Sequence, residues 1–137
     1  MTKNKTNSII KIGLNNIDQI LGGLKSSNLY LIGSRPEIGK TEFILSMILN
    51  ISIKQKIPIG IFSLDISKSK FVNMLIAFNS GIGLSLLQKK TFSKNEWRKF
   101  ASKSINISEA EIFIDDSAGF SMNDIKLNAV KMVNNHS

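Results

Sequence analysis

The chain has 137 residues, of which 18 are basic and 10 acidic, and it contains no cysteine, so its formal net charge is +8. This length predicts one domain with a core of its own, and the lack of cysteine excludes a disulfide framework and a thiolate metal site. The basic charge is compatible with a nucleic acid or nucleotide partner, but lysines scattered along the whole chain support one only weakly.

The chain begins with a polar segment, residues 1–8, which we expect to be a disordered tail before a domain at residues 9–137. This segment does not look like a signal peptide. No apolar run approaches the roughly 20 residues that cross a bilayer, so we expect no membrane partner. Together with the lack of cysteine, these features predict a cytoplasmic protein.

The first predicted elements are a helix and a strand. Apolar residues at positions 14, 17, 20 and 21 mark one face of a short helix that ends at Gly22-Gly23. The run 28–32 is apolar enough to be a strand buried on both faces, as parallel strands in α/β proteins are. Residues 40–53 then predict a helix with an apolar inner face, and residues 58–64 predict a second buried strand.

Between the first strand and the helix lies a predicted phosphate-binding loop, Ser34-Arg35-Pro36-Glu37-Ile38-Gly39-Lys40-Thr41. A triphosphate must be held by many donors at once, and successive backbone N–H groups at a helix N-terminus supply them. We expect Lys40 to reach the β and γ phosphates and Thr41 to place its hydroxyl on Mg²⁺. Gly39 lets the backbone close around the phosphates. The loop therefore predicts a nucleoside triphosphate and Mg²⁺ as cofactors, and the family resemblance described below implies that the nucleotide is ATP.

The match to the general loop motif is incomplete. Ser34 stands where the motif usually has its first glycine, and Gly33 lies one position earlier. The alternative is that the Gly-Lys-Thr sequence is only a turn and a helix start. The order of strand, loop and helix favours the phosphate-binding loop.

The second half of the chain predicts three further helices and one strand. Residues 68–79 form a helix that stops before Gly81 and Gly83, which mark a loop. A second helix begins at a capping box, Ser93 with Glu96, and runs to about residue 104, and we expect Trp97 to pack in it. A third begins at residues 121–124 and runs towards residue 134. The expected inward residues of the first of these helices are Phe71, Met74, Leu75 and Phe78.

A third strand at residues 111–114 ends at two acids, Asp115 and Asp116. Two interpretations are open. An apolar strand that ends in acids is the form of a magnesium-positioning strand, whereas an acid pair after a strand also forms turns that satisfy nearby backbone donors. The alternation of strands and helices predicts a parallel, layered α/β domain.

Taken together, these segments resemble the carboxy-terminal, RecA-like motor domain of replicative DNA helicases of the DnaB family. Each match is weak alone, but five in order at suitable spacing are specific. The matching segments are 13–18 with 22–24, the loop 35–41, the strand end 62–67, the Glu96-Trp97 pair and 114–116. The resemblance implies a P-loop NTPase with a mainly parallel sheet flanked by helices.

The same resemblance implies ATP hydrolysis coupled to DNA unwinding, with single-stranded DNA and other helicase subunits as partners. By this resemblance the catalytic residues are Lys40, which offsets developing charge, and Asp65, which stands where the family has a glutamate that polarises the attacking water. The aspartate is one methylene shorter, which draws the carboxylate back by more than about an ångström and weakens its hold on the water. A solvated acid at a strand end is the alternative for Asp65.

The family's remaining catalytic parts would lie outside this chain. The magnesium-positioning (Walker B) strand, the arginine finger and the DNA-gripping loops would follow residue 137. We therefore expect a truncated domain with weak or no activity alone. The alternative is a non-catalytic nucleotide-binding remnant or a helicase-interacting protein. A recombinase or clock-protein ATPase is disfavoured because that branch normally lacks the Arg35-Pro36 signature.

One departure concerns the backbone. Ser27 stands where the family usually has a glycine before the first strand. If the backbone is left-handed at this position, a residue with a Cβ costs about 1 kcal/mol there.

Overall fold

The computed structural model describes residues 9–89 and 91–134. The predicted disordered tail, residues 1–8, lies outside the described residues. Two strands, six α-helices and one π-helical segment follow one another in the described chain. In order they are α1 (Asn15–Leu21), α2 (Lys40–Ile48), the π-helical segment (Leu49–Lys54), β1 (Ile59–Phe62), α3 (Lys68–Ser80), α4 (Leu84–Lys89), α5 (Lys94–Ser108), β2 (Ile112–Asp115) and α6 (Met122–Asn134).

The two strands form a parallel pair, as the alternation of elements predicted. Ile59 is in register with Ile112 at one end and Phe62 with Asp115 at the other. Because the two strands are parallel, their carboxyl ends lie at the same edge of the sheet. Functional loops of parallel α/β sheets are found at this edge. That edge carries the segments that follow β1 and β2.

The core lies between this sheet and helices α2, α3 and α5. Its centre is Leu75 on α3, whose side chain is fully buried. The other members come from these helices, the π-helical segment and β2, and they give each helix one apolar face. They are Leu45, Ile48, Leu49, Phe71, Ile76, Ile107 and Ile114.

The predicted helix over residues 40–53 is confirmed, but its end winds as a π-helix. The hydroxyl of Ser52 donates a 2.8 Å hydrogen bond to the carbonyl of Ile48, a side-chain bond that competes with regular helix bonding. At the same end, the side chains of Asn50 and Gln55 donate to the carbonyl of Lys11, at 3.1 and 2.7 Å. The end of the helix is therefore tied to the segment before α1.

A buried carboxylate holds that segment in place. Asp18 on α1 accepts hydrogen bonds from the amides of Ile12, at 2.7 Å, and Gly13, at 2.9 Å. Burial acts to raise the pKa of Asp18, but these amides and the charge of Lys11 outweigh it and lower the pKa below its usual value. Gly13 is required because its φ is +95° and an added Cβ would lie 2.3 Å from Cγ of Asn50.

The predicted strand at residues 28–32 is wrong for this structure. The segment is irregular, and the side chains of Leu29 and Leu31 are 97% and 96% exposed. A strand requires a partner, and the one sheet of the described chain consists of β1 and β2 alone. The phenol oxygen of Tyr30 accepts instead from the amide of Lys25. The apolar sequence is strand-like, but no ladder of hydrogen bonds holds it among the described residues.

Other differences from the predicted elements are smaller. Phe78 was expected to point inward, but α3 turns it to the surface, where it is 43% exposed. The loop expected around Gly81 contains the short helix α4. Gly81 itself ends α3 with a φ of +69°. At Ser27, which stands where the resembled family usually has a glycine, the backbone is left-handed, with a φ of +64°.

We predict that Leu75→Ala lowers the free energy of unfolding by about 2–5 kcal/mol, because it leaves a cavity at the centre of the core. Leu127→Ala is the matched control, since this leucine lies on a helix but is mostly exposed, and it should cost less than about 0.5 kcal/mol. Urea unfolding followed by circular dichroism measures both. Equal losses in the two variants would show that the core does not centre on Leu75.

Candidate functional site

The predicted phosphate-binding loop has an unusual backbone. The chain turns at residues 36–37, bends at 38–39 and enters α2 at Lys40. Glu37 and Gly39 are left-handed, with φ values of +64° and +93°. They alternate with residues of negative φ, and such alternation turns successive amides of a loop toward a common side. This backbone is the form that anion-binding loops take.

The N-terminus of α2 has unpaired donors. Gly39 provides no side-chain cap, and the first amide of the helix with a backbone partner is that of Phe43, which donates to the carbonyl of Gly39 at 2.9 Å. In the described chain the amides of residues 38–42 donate no hydrogen bond. Unpaired amides and the positive end of the helix dipole favour an anion at this position.

Three side-chain positions complete the candidate site. Lys40 is exposed and, with Ser34 and Gly39, lines an open groove of about 540 Å³. Thr41 is half-buried on the first turn of α2, and no hydrogen bond to its hydroxyl is found among the described residues. An ammonium group, a free hydroxyl and unpaired amides form a donor set that fits a nucleotide phosphate with Mg²⁺. The residues therefore fit the cofactors that the sequence predicted.

The other predicted loop residues lie at the surface. Ser34, Arg35, Pro36 and Ile38 are all exposed. The hydroxyl of Ser34 donates to the carbonyl of Arg35 at 3.0 Å, which holds the entry to the loop. That these four residues contact phosphate remains a prediction, which the backbone conformation of the loop supports.

Asp65 lies at the edge of the sheet where β1 ends. It is exposed in a bend that the hydroxyl of Ser63 holds through a 2.6 Å bond to the carbonyl of Ile66. The described residues provide no hydrogen bond between Asp65 and residues 34–41. Its carboxylate is thus available to water, and its predicted catalytic role stays a prediction.

The two acids after β2 are engaged within the protein. Asp116 accepts a 2.7 Å hydrogen bond from the amide of Lys68, which begins α3. Asp115 accepts from the hydroxyl and the amide of Ser117 and from the side chain of Asn128. The Ser117 bonds, with help from Asn128, lower the pKa of Asp115 although partial burial opposes them. This geometry favours the turn interpretation of the acid pair.

Within residues 9–89 and 91–134, the structure shows no group of three or more His, Asp or Glu side chains placed to hold a metal ion. The role of Thr41 as a magnesium ligand stays a prediction.

Trp97 packs less completely than expected. Its ring stacks on that of Phe100, with ring centroids 5.7 Å apart. The ring centroid of Phe92 lies 5.8 Å from that of Trp97. The side chain is nevertheless 55% exposed. Aromatic contacts of this kind stabilise a surface cluster without burying it, so the expectation that Trp97 packs is confirmed in contact but not in burial.

Sequence reasoning placed Glu37 in the phosphate-binding loop but assigned no role to its charge, and it left Glu42 outside the predicted site. Glu37 adopts the left-handed conformation that favours glycine. The carboxylate of Glu42 lies back over the helix start, with Oε2 3.6 Å from where a Cβ on Gly39 would be. The signal that could have found Glu42 is its position one residue after the Gly-Lys-Thr sequence, on the first turn of the helix.

We predict that Asp116→Ala lowers the free energy of unfolding by about 1 kcal/mol, because the first amide of α3 loses its acceptor. Magnesium-dependent nucleotide affinity should stay at the level of a Glu111→Ala surface control. Urea unfolding and calorimetric titration measure the two effects. A selective loss of magnesium-dependent affinity would instead support the magnesium-positioning interpretation.

Comparison with known proteins identifies similar sequences. Residues 10–137 match the family described as DnaB-like helicase C terminal domain. The chain is 30% identical over 123 residues to the replicative DNA helicase DnaB of Nostoc sp. (strain PCC 7120) and covers 14% of that protein. It is 32% identical over 117 residues to the corresponding helicase of Treponema pallidum and covers 27% of it. These matches take in 90% and 85% of the present chain.

Two solved structures have the same fold. One is described as an ATPase domain, and it superposes with a TM-score of 0.86 at 26% identity, over 97% of this chain and 48% of that one. The other is a DnaB-like replicative helicase, solved in a study of its interactions with primase. It superposes with a TM-score of 0.87 at 25% identity, over 99% of this chain and 34% of that one. These similarities confirm the predicted RecA-like fold.

The chain thus spans less than half the length of each of these relatives. None of the helices in the described ranges combines the length and the apolar character that a membrane crossing requires.

Proposed function

This chain belongs to the family of DnaB-like helicase C-terminal domains, and from that premise we propose that it binds ATP and Mg²⁺ through residues 34–41 as part of a replicative helicase motor. The full activity that we propose is ATP hydrolysis coupled to movement on single-stranded DNA in a ring of helicase subunits. The proposed location is the cytoplasm, where the replicative helicases of bacteria act on DNA.

The uncapped start of α2 is the observation that supports this function most. Its amides lie beside the left-handed residues Glu37 and Gly39 and donate no hydrogen bond within the described chain. Ser, Thr, Asp and Asn are the residues preferred for capping such amides. A helix start that leaves them free, with a lysine at its first position, favours an anionic ligand.

Each residue of the site has a distinct role in this proposal. The amides of the loop hold the phosphates, and Lys40 offsets the negative charge that develops on the oxygens during transfer. The hydroxyl of Thr41 would hold Mg²⁺, which would neutralise charge on the phosphate oxygens. Asp65, at the edge of the sheet, orients the attacking water. Its side chain is one methylene shorter than that of a glutamate.

Hydrolysis by this chain alone should be slow. In related phosphoryl-transfer enzymes, an arginine supplied across a subunit interface accelerates the reaction by about a thousandfold or more. The two arginines of this chain are Arg35, in the loop itself, and Arg98, on α5. We propose that other helicase subunits supply the missing charge.

A second candidate function is nucleotide binding without hydrolysis, in a protein that interacts with a helicase. Asp65 favours it, because no hydrogen bond joins this acid to the loop in the part of the chain that the structure describes. The engagement of Asp115 and Asp116 within the fold favours it as well, because neither acid is free to serve a metal ion.

We predict that Lys40→Ala weakens ATP binding by roughly tenfold or more, because the phosphates lose their cationic partner. Lys126→Ala, at an exposed position on α6, is the matched control and should bind as the unchanged protein does. Calorimetry measures binding, and phosphate release with and without single-stranded DNA measures hydrolysis.

The same assays separate the two candidate functions. Hydrolysis that DNA stimulates, and that Lys40→Ala abolishes, supports the motor. Binding without hydrolysis supports the second candidate. Nucleotide affinity that Lys40→Ala leaves unchanged would contradict both.

A further inference from the structure

The candidate loop is electrically neutral on a strongly basic protein. Arg35 and Lys40 bring two positive charges to residues 34–42, and Glu37 and Glu42 bring two negative charges, so the formal charge of this segment is zero, whereas the whole chain carries +8. A loop that binds a polyanion gains from excess positive charge. Two acids at this position therefore oppose the ligand that the amides of α2 favour.

Glu37 lies inside the turn of the loop. It is exposed and left-handed, with a φ of +64°, a conformation that is unfavourable for a residue with a Cβ. Glycine would adopt this turn without that cost. The position thus carries both a backbone penalty and a negative charge, next to amides that suit an anion.

Glu42 lies on the first turn of α2. Its Oε2 is 3.6 Å from the position of a Cβ on Gly39, so the carboxylate folds back towards the start of the helix. An acid in the first turn stabilises a helix by interacting with the dipole and the unpaired amides. Glu42 thus brings a negative charge to the end of the helix at which a phosphate would bind, although it accepts no capping hydrogen bond there from the described residues.

We propose that Glu37 and Glu42 make this loop selective for magnesium-complexed nucleotide over free nucleotide. The inference rests on the proposed nucleotide site. Free ATP carries more negative charge than its magnesium complex, so the two carboxylates repel the free form more strongly. The loop amides and Lys40 still bind the phosphates, but only the complexed form avoids most of the repulsion. Glu37 and Glu42 are specificity-determining residues in this proposal.

The test compares Glu37→Gln, Glu42→Gln and the double variant with the unchanged protein. Calorimetric titrations with ATP in the presence of a chelator and with ATP in excess Mg²⁺ measure the two affinities. We expect each single variant to bind free ATP roughly fivefold more tightly, with a smaller gain for the magnesium complex. The gain should shrink at high salt, because exposed charges are screened.

Two further variants control the measurement. Glu111→Gln removes an exposed acid that lies away from the loop and should leave both affinities unchanged. Glu37→Gly removes the charge and the left-handed penalty together, so it should match Glu37→Gln in affinity while resisting urea better. Thermal unfolding without nucleotide shows whether Glu42→Gln loses the helix-start interaction, as its position predicts.

The outcomes separate this inference from the proposed function. If the unchanged protein binds ATP, Lys40→Ala loses it, and the glutamine variants gain nothing or gain equally for both forms of ATP, the selectivity is overturned and the nucleotide site stands. If neither the unchanged protein nor any variant binds ATP, both are overturned. A preferential gain for free ATP supports the selectivity.

Discussion

The position of helix α2 is the constraint on which the rest of the site depends. Its second half lies in the core through Leu45 and Ile48, while its first turn reaches the surface with unpaired amides. Burial of apolar side chains holds the helix in place, so the direction of the first-turn amides is set by the core. If a phosphate binds at these amides, as we propose, little order has to be created.

The far end of the same helix is tied down by polar contacts. The side chains of Asn50 and Gln55 donate to the carbonyl of Lys11. Asp18 accepts from the amide of the next residue, Ile12. The other edge of the molecule uses acids for a similar purpose. Asp116, which follows β2, accepts from the first amide of α3, the helix after β1. This bond connects the segments that follow the two strands. Asp115 and Asp116, which have the form of a magnesium-positioning pair in the sequence, thus make contacts that serve the fold.

The parts of the fold that depend on neighbouring residues could be predicted from the sequence. The capping box at Ser93 and Glu96 is an example, because donor and acceptor lie three residues apart. The loop at residues 34–41 was likewise predictable from spacing. The strand expected at residues 28–32 was not, since a strand needs a partner from elsewhere in the chain. The role predicted for Asp65 stays a prediction, because its distance from the loop depends on how separate elements pack.

The central claim is that the amides of residues 38–42 are the phosphate donors. The most direct test is an NMR titration of ¹⁵N-labelled protein with ADP and Mg²⁺, read at each backbone amide. We predict that the largest shifts fall on residues 38–42, with little change at the exposed lysines of α5 and α6. Shifts that spare these amides, or that cluster on the distant lysines, would contradict the claim.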